Sequence, residues 1–395
     1  MTVGWESVAL GDLCDVVNGG TPKTGIPEYW GGPHRWITPA EMGKRPTPYI
    51  AQTERTITDQ GLQNSSARPL PPYSVILSSR APIGHLVINT EPMATNQGCK
   101  GLVPRGRIDH KFLYYYLGSI VDLLNDLGTG ATFKELSGGK LKEVTMPVPP
   151  LLEQRRIVSI LDEAFEGIAT AKANAEKNLR NARELFDDYL REVFTRRGEG
   201  WADRTLGQVC KVERGSSPRP IKSFFSTAPD GVNWIKIGDT EEGGKYVYST
   251  AQRITPEGAK QSRYVKEGDF ILTNSMSFGR PYIMKTSGYI HDGWFALRLS
   301  DELDADYFYY LLSSQFVQNQ FASLAAGAVV KNISGDLVKK AVLTIPPIAE
   351  QKSIVERFAV LGEQTDSLTV LFRQKLAALD ELKKSLLHQA FSGAL

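Results

Sequence analysis

The chain has 395 residues, of which 41% are hydrophobic and 23% are charged, and its formal net charge is +2. This composition is typical of a soluble globular protein, and the length favours two or more domains over a single core. A membrane span is excluded because no run of 18 apolar residues occurs, and any nucleic-acid binding must come from local patches because the overall charge is small.

The N-terminal stretch MTVGWESVALGDL contains an early acidic residue and no apolar segment, so we expect no secretory signal peptide. The three cysteines, Cys14, Cys99 and Cys210, have no CxxC spacing. They argue against a disulfide framework or a zinc site and favour a reducing, cytoplasmic location. Cys14 and Cys210 have apolar neighbours, and we expect both to be small buried residues rather than reactive thiols.

The sequence repeats itself at an offset of 195 to 198 residues. VPPLLEQRRIV (148–158) matches IPPIAEQKSIV (345–355), and WESVALGDLCDVVNGGTPKT (5–24) aligns with WADRTLGQVCKVERGSSPRP (201–220). The match extends through SVILSSRAPIG (74–84) with DFILTNSMSFG (269–279), and FLYYYLGS (112–119) with YFYYLLSS (307–314). A repeat of this length predicts two copies of one domain-plus-helix unit.

The first globular segment, 1–148, is predicted to mix strands with short helices. SVILSS is a short β-rich run bounded by turn residues, and the Tyr-rich segment 112–127 has the apolar spacing of a helix. Segment 199–345 repeats both features in DFILTN and YFYYLLSSQFVQNQF. Frequent Gly and Pro residues between these elements predict long loops.

Segments 149–198 and 346–395 each open with a Pro-Pro pair and continue as long amphipathic stretches, which predicts two long helices. Apolar residues recur at three-four spacing with charges between them, as in a coiled coil. About 45 residues at 1.5 Å each give a rod of ~65 Å, longer than one domain. Asn178, Thr365 and Lys375 fall on the stripe, where they either set the register or sit at its edge.

The predicted fold class is α+β, with two mixed α/β domains joined by two long antiparallel helices that form a coiled coil, in an internal pseudo-two-fold repeat. Each helix packing only on its own globule is the alternative. Two globules at a fixed distance have the geometry that a dimeric DNA-binding protein obtains from two chains.

The chain as a whole resembles the specificity subunits of type I restriction-modification enzymes. The resemblance rests on GGTPKTGIPEYWGG, WITPAEM, ATNQGCKGL and GATFKELS in the first half, on RGSSPRP, WIKIGDT and DFILTNSMSFG in the second, and on the repeated Pro-Pro-x-x-Glu-Gln. It covers essentially the whole chain. Several motifs differ between the halves, which predicts two unrelated half-sites rather than a palindrome.

The resemblance implies that the globules are target recognition domains and that each reads one half of a split double-stranded DNA sequence. The helices would set the spacer and dock two methyltransferase subunits, and restriction/translocation subunits would join for cleavage. The chain itself would hold no cofactor. S-adenosylmethionine, ATP and Mg²⁺ would be bound by the partner subunits, and adenine methylation would be their chemistry.

The chain lacks the motifs of an enzyme of its own. It has no Asn/Asp-Pro-Pro-aromatic loop, no P-loop and no HExxH, and its five histidines are scattered. These absences argue against the first competing hypothesis, a nuclease or self-sufficient methyltransferase. The second competing hypothesis is a protein-assembly scaffold that reads no DNA. A methylation-only defence system cannot be distinguished from the leading interpretation, because the restriction subunit is a separate chain.

Candidate DNA contacts are polar or cationic side chains in the loops, because such groups reach base edges and phosphates. In the first globule they are Thr21, Lys23, Thr38, Ser79, Arg80, Asn96, Gln97 and Lys134. In the second they are Ser217, Arg219, Lys236, Asn274, Ser275, Arg280 and Lys331.

Each candidate has a plainer interpretation. Arg80 could instead pair with an internal carboxylate, Lys134 could be an ordinary surface lysine, and Arg280 could be structural. Trp30, Trp36, Trp234 and Trp294 are expected to pack in the core or loops rather than stack on a flipped base, because base flipping belongs to the subunit that performs the chemistry.

Overall fold

A computed structural model describes residues 5–45, 47–130, 134–196, 198–241, 244–274, 279–325 and 334–395. The chain divides into two compact units. The first unit comprises Met1–Glu176 and Arg373–Leu395, and the second comprises Lys177–Phe372. None of the helices in these ranges has a stretch long and apolar enough to span a bilayer.

The strands of the first unit form three small sheets. They are β1 (Glu6–Ala9), β2 (Cys14–Asn18), β3 (Trp30–Ile37), β4 (Tyr49–Ile50), β5 (Arg55–Ile57), β6 (Val75–Ser79), β7 (Ile83–Asn89), β8 (Met93–Thr95), β9 (Cys99–Pro104) and β10 (Thr145–Val148). The main sheet has the order β2-β9-β6-β7-β4, and the others are β5-β3-β8 and β1-β10. Every residue of β6 is buried, which explains its continuous apolar sequence in the middle of the sheet.

The helices of the first unit are mostly short. They are α1 (Leu10–Leu13), α2 (Pro39–Met42), α3 (Asp59–Gln63), α4 (His110–Ser119), α5 (Val121–Leu127), α6 (Gly138–Glu143) and the first part of α7 (Leu151–Thr195). The Tyr-rich helix α4 is capped by Asp109, whose carboxylate accepts hydrogen bonds from the Lys111 and Phe112 N–H groups. Phe112 and Leu113 on this helix are fully buried in the core.

The second unit repeats this arrangement. Its strands are β11 (Ala202–Thr205), β12 (Cys210–Arg214), β13 (Val232–Ile235), β14 (Tyr246–Val247), β15 (Gln252–Ile254), β16 (Arg263–Val265), β17 (Phe270–Thr273), β18 (Pro281–Met284), β19 (Gly288–Ile290), β20 (Trp294–Leu299) and β21 (Val342–Ile345). The main sheet is β12-β20-β17-β18-β14, and the others are β15-β13-β19-β16 and β11-β21. The strand order of the main sheet therefore matches that of the first unit.

The helices of the second unit are α8 (Leu206–Val209), α9 (Pro256–Ala259), α10 (Ala305–Ser313), α11 (Gln315–Ala325), α12 (Gly335–Val338), the last part of α7 and the first part of α13 (Ile348–Ser392). Asp304 caps α10 in the same way that Asp109 caps α4. In each unit a tyrosine of this helix is bonded to the last strand, although at different positions: the Tyr307 hydroxyl donates to the Thr344 carbonyl, and Tyr116, one turn further along α4, donates to the Thr145 carbonyl. The repeat predicted from the sequence is thus a structural repeat.

The two 45-residue helices, α7 and α13, pair antiparallel within each unit. In the first unit Lys172 Nζ lies 2.7 Å from Asp380 Oδ1, and the Arg156 guanidinium donates to the Leu395 carbonyl at 2.7 Å. In the second unit Phe358 packs against Phe186. The predicted long helices are confirmed.

Burial along α7 follows a seven-residue interval, as a coiled coil requires. Leu161, Ile168, Ala175 and Ala182 are all buried. On α13, Thr365 is buried at a stripe position and its hydroxyl donates to the Gly362 carbonyl at 3.0 Å. Asn178 and Lys375, in contrast, are exposed at the edge of the stripe. Of the three polar stripe residues, only Thr365 is therefore placed to influence the register.

All three cysteines are buried, and burial raises the pKa of each thiol to about 12. The thiolate is the reactive form of cysteine. These thiols are therefore unreactive for two reasons: reagents cannot reach them, and they stay protonated at neutral pH. We expect less than one thiol per native chain to react with Ellman's reagent at pH 8, and three to react after unfolding in guanidinium chloride. Rapid reaction of one thiol in the native chain would show that a cysteine is exposed.

Candidate nucleic-acid interface

Three loops meet at one end of the main sheet in each unit. In the first unit, the Gly19 N–H donates to the Cys99 carbonyl at 3.2 Å, and the Ser79 N–H donates to the Gly98 carbonyl at 2.7 Å. These bonds join the loop after β2, the end of β6 and the loop before β9. Because β9 is antiparallel to both β2 and β6, the three segments lie at the same end of the sheet.

The second unit builds the same junction. The Gly215 N–H donates to the Trp294 carbonyl at 2.8 Å, and the Asn274 N–H donates to the Gly293 carbonyl at 2.9 Å. These bonds join the loop after β12, the end of β17 and the loop before β20. We call this end of each sheet the loop end.

The glycines that open the first loop are required by internal packing. A Cβ on Gly19 would collide with the Asn96 carbonyl, and one on Gly20 would collide with the backbone of Ser66 and Ala67. Glycine is needed at both positions because each faces another loop of the same unit.

Thr21, Asn96 and Gln97 come together at the loop end of the first unit. The Thr21 hydroxyl donates to Gln97 Oε1, and the Gln97 side chain is exposed. Asn96 Oδ1 accepts from the Gly98 N–H at 3.0 Å and so holds the shape of the turn. Gln97 therefore presents an amide to solvent, with its orientation set by Thr21.

Ser79 is the last residue of β6 and Arg80 follows it, and the two differ in exposure. Ser79 is fully buried, so its side chain is not presented to solvent, and its hydroxyl has no hydrogen-bond partner among the described residues. Arg80 lies 3.9 Å from the Glu135 carboxylate, which also lies 3.8 Å from the buried Lys100. Arg80 thus has a carboxylate neighbour, but the Glu135 side chain is 44% exposed and is not the internal carboxylate that we considered as an alternative. Lys134, beside Glu135, is exposed.

Thr38 and Lys23 are positioned by local structure. The Thr38 hydroxyl accepts from the Glu41 N–H at 3.4 Å and caps α2. The Lys23 side chain is exposed, while its carbonyl accepts from the Trp30 indole at 3.4 Å. Lys23 therefore remains available to an anion, whereas the Thr38 hydroxyl already serves the helix.

In the second unit, Ser217 and Arg219 converge on Asp292. The Ser217 hydroxyl donates to Asp292 Oδ1 at 2.7 Å, and Arg219 Nη2 lies 3.3 Å from Asp292 Oδ2. The Ser217 hydrogen bond is the main cause that lowers the pKa of Asp292, with smaller contributions from His291 and Arg219. The Ser217–Asp292 contact is the repeat equivalent of Thr21–Gln97, but here it carries charge.

The remaining candidates of the second unit have mixed placements. Asn274 is buried, and its side-chain amide donates to the Asp292 carbonyl at 2.7 Å. Lys236 precedes a 3-10 helix, Ile237–Asp239, and its N–H donates to Asp239 Oδ2 at 2.7 Å. The Arg280 N–H donates to the Thr273 hydroxyl at 3.0 Å. Ser275 and Lys331 lie outside the described residues.

The tryptophans pack within their units. Trp36 and Trp234 are almost fully buried, and the Trp36 indole donates to the Gly20 carbonyl at 2.9 Å. Trp30 meets Trp36 edge to face at 5.0 Å, and the Arg55 guanidinium stacks on Trp30 at 3.7 Å. This arrangement supports the expectation of packing roles.

Sequence reasoning missed Asp292, Glu135 and Lys100. The internal alignment could have indicated Asp292, because it occupies the position of Gln97 in the second copy. Glu135 and Lys100 gave no comparable indication, because their meeting depends on the long connection between β9 and α6. Among the described residues, no group of three or more His, Cys, Asp or Glu side chains is arranged to hold a metal ion.

The lowered pKa of His291 predicts that the stability around the second loop end depends on pH. Burial lowers the pKa of its imidazole, more than the neighbouring Asp292 raises it, and Nδ1 accepts from the Gly293 N–H at 2.8 Å. The pKa of His291 in the folded state lies below the unfolded value of about 6.5. The contribution of neutral His291 to folding stability is therefore complete above about pH 6.5 and is lost as the pH falls through the lowered folded-state pKa.

We therefore expect the urea concentration at the unfolding midpoint of the second unit to decrease when the pH is lowered from 7 to 5. Asn96 makes the equivalent bond in the first unit with a group that does not titrate. His291→Asn should accordingly give a smaller fall over the same range. Equal pH dependence in the variant and the wild-type chain would assign the effect to other groups.

Comparison with known proteins gives one consistent result. The family model described as type I restriction modification DNA specificity domain matches residues 2–179 and again 198–376. The MjaIX specificity subunit of Methanocaldococcus jannaschii is 34% identical over 240 residues, 57% of this chain and 56% of that protein. The match thus spans little more than half of that relative. The EcoBI specificity subunit of Escherichia coli is 24% identical over 335 residues, covering 78% and 70%.

Solved structures agree at the level of the fold. A chain from a structure of a type I R-M system, solved to describe complex assembly and conformational transition, has a TM-score of 0.78 at 20% identity, covering 100% of this chain and 99% of that one. The HsdS subunit from Thermoanaerobacter tengcongensis has a TM-score of 0.70 at 20% identity, covering 100% and 98%. With two matched copies that together span most of its length, the chain belongs to the family of type I restriction-modification DNA specificity proteins.

Proposed function

We propose that this chain is the non-catalytic specificity subunit of a type I restriction-modification complex, and that each unit reads one half of an asymmetric, bipartite DNA target. The observation that carries the proposal is the loop end, which occurs in both units with the same backbone bonds and different side chains. Thr21 and Gln97 occupy it in the first unit, and Ser217, Arg219 and Asp292 occupy it in the second. One frame with two sets of recognition groups suits two different half-sites.

The candidate contacts divide by exposure into three roles. Gln97 and Arg219 are exposed; the Gln97 amide offers a donor and an acceptor, and the Arg219 guanidinium offers paired donors, which match base edges in the major groove. Lys23 and Lys134 are exposed cations suited to phosphates, which fix the position of a protein on DNA without reading sequence. Ser79 and Asn274 are buried and would act by supporting the loops that carry the others.

The long helices would dock the methyltransferase subunits and set the spacer. Several apolar side chains on them are exposed, including Leu152 at 83%, Val360 at 57% and Leu371 at 55%. Contiguous exposed apolar patches mark protein-binding surfaces, and we propose that these side chains contribute to such surfaces on the helices. Segments 149–198 and 346–395 remain our proposed limits for these spacer helices. S-adenosylmethionine, ATP and Mg²⁺ are proposed to bind to the methyltransferase and restriction/translocation subunits.

The test is methylation sequencing of the genome of a host that expresses this chain with its methyltransferase subunit. We expect a split motif with two different specific halves, a fixed unspecific gap and a methylated adenine in each half. A host that expresses the methyltransferase subunit alone is the control and should show no such motif.

Two other outcomes would change the proposal. If the two proteins copurify and no motif appears, a protein-assembly scaffold without DNA reading becomes the better hypothesis. A continuous or palindromic motif would preserve DNA binding and contradict the assignment of different half-sites to the two units.

A further inference from the structure

The loop end of the second unit contains an arginine held from one side. Arg219 Nη2 lies 3.3 Å from Asp292 Oδ2, while the Arg219 side chain stays 81% exposed. Within the described part of the chain, Asp292 is the hydrogen-bonding partner of this guanidinium. Most of its five donors are thus directed at solvent.

Asp292 is itself held firmly. Its other carboxylate oxygen accepts from the Ser217 hydroxyl at 2.7 Å, and its backbone carbonyl accepts from the buried Asn274 amide at 2.7 Å. The next residue, Gly293, donates to His291 Nδ1 at 2.8 Å. The carboxylate therefore occupies a fixed position, which limits the orientations that Arg219 can adopt.

A carboxylate beside an exposed arginine favours one class of target. A phosphate bound by Arg219 would bring a second negative charge close to Asp292, and like charges at this distance repel. The guanine edge in the major groove offers two neutral acceptors, O6 and N7, in the geometry of a guanidinium fork. The N4 amino group of the paired cytosine can donate a hydrogen bond to a carboxylate.

We propose that Arg219, oriented by Asp292, reads the guanine of a G·C pair in the half-site of the second unit. This inference rests on the proposed function and adds a base identity to it. The first unit has Gln97 at the position of Asp292 and Lys23 at the position of Arg219, so it lacks the braced guanidinium. This contact of a braced arginine with guanine is therefore expected in the second half-site and not in the first.

The test uses the complex of this chain with its methyltransferase subunit and a duplex that carries its methylation motif. Each guanine is replaced in turn by 7-deazaguanine, which lacks the N7 acceptor and keeps Watson–Crick pairing. We expect wild-type affinity, measured by fluorescence anisotropy at fixed salt, to fall about tenfold or more at one guanine of the second half-site.

The variants assign that loss to the arginine. Arg219→Ala should bind the unmodified duplex more weakly and should show no further loss with 7-deazaguanine at the same position. Arg219→Lys keeps the charge and loses the fork, so its sensitivity to 7-deazaguanine should lie between those of the wild-type chain and the alanine variant. Asp292→Asn, which keeps an acceptor for Ser217 and removes the charge, should reduce the discrimination partially. Arg204→Lys, at an exposed arginine on β11, is the matched control and should respond as wild type does.

The outcomes separate this inference from the function on which it rests. A wild-type complex that yields no methylation motif contradicts the proposed function. A motif whose second half contains no G·C pair, or an Arg219→Ala complex that stays sensitive to 7-deazaguanine, overturns the guanine assignment and leaves the function standing.

Discussion

Phe358→Ala is expected to lower the free energy of unfolding of the second unit by about 3–5 kcal/mol, because it removes a large buried ring and leaves a cavity. Phe358 is fully buried on α13. Its ring meets Tyr310 at 5.0 Å, Tyr189 and Phe194 at 5.7 Å, and Phe186 at 6.3 Å. This single side chain joins both long helices to the Tyr-rich helix α10.

The measurement is urea unfolding followed by tryptophan fluorescence, combined with hydrogen exchange read by mass spectrometry. Peptides from α10 and from the second-unit parts of α7 and α13 should lose protection, while peptides from β6 and α4 in the first unit should change little. Val360→Ala, at a side chain 57% exposed two residues away, is the control and should change stability by less than about 0.5 kcal/mol. A Phe358→Ala loss below about 1 kcal/mol would show that the ring is not central to this packing.

The helices and the repeat could be predicted because they depend on local and periodic patterns. The three-four spacing on α7 appears in the structure as burial at Leu161, Ile168, Ala175 and Ala182. The Pro-Pro pairs lie immediately before the long helices, which begin at Leu151 and Ile348. The sequence match between the halves appears as two main sheets of the same strand order.

The loop ends were harder to predict because side-chain direction there changes from one residue to the next. Ser79 and Arg80 are adjacent, yet the first is fully buried and the second reaches Glu135. Both faces of β6 are buried, so the change from core to surface comes where the strand ends, between Ser79 and Arg80. The sequence stretch identified the loop, but the choice of exposed side chains depended on which strands pair.

The partners of the candidate residues also depend on long-range contacts. Arg80 and Glu135 are 55 positions apart, and Arg219 and Asp292 are 73 apart. No local pattern joins such pairs, because the chain between them passes through other strands. The internal alignment was the only sequence evidence that could have linked Asp292 to Gln97, and through Thr21 to Ser217.

The glutamine of the repeated Pro-Pro-x-x-Glu-Gln motif has the same structural role in both units, which explains the most distinctive match in the sequence. Gln154 is fully buried, and its amide donates to the Arg107 carbonyl at 3.0 Å and to the Pro149 carbonyl at 2.8 Å. Its Oε1 accepts from the Asp109 N–H at 2.8 Å. Gln154 thus joins the start of α7 to the residue that caps α4.

Gln351 makes the same three bonds in the second unit. Its amide donates to the Glu302 and Pro346 carbonyls, each at 2.9 Å, and its Oε1 accepts from the Asp304 N–H at 2.8 Å. No other side chain of similar size offers two donors and an acceptor without a charge. The motif is therefore repeated because each long helix must be fixed to its own globule in the same way.

Gln154→Ala and Gln351→Ala are each expected to destabilise their own unit by about 3 kcal/mol, because each leaves one N–H and two carbonyls buried without partners. Gln→Glu at either position should be no milder, since it keeps the shape but turns the amide donors into acceptors that face two carbonyls. Hydrogen exchange should show the loss first at Asp109 in one variant and at Asp304 in the other. Urea unfolding of each variant supplies the magnitude.

Arg155→Ala and Lys352→Ala, at the exposed neighbours, are the matched controls and should stay within about 0.5 kcal/mol of the wild-type chain. A glutamine variant with wild-type stability would mean that water or a shifted backbone replaces the three bonds. If both variants destabilise their units, methylation by the assembled complex should also depend on these glutamine contacts. When a globule is bound less firmly to its long helix, methylation should fall at the whole motif. Loss of Arg219 should instead change the base preference at a single base pair.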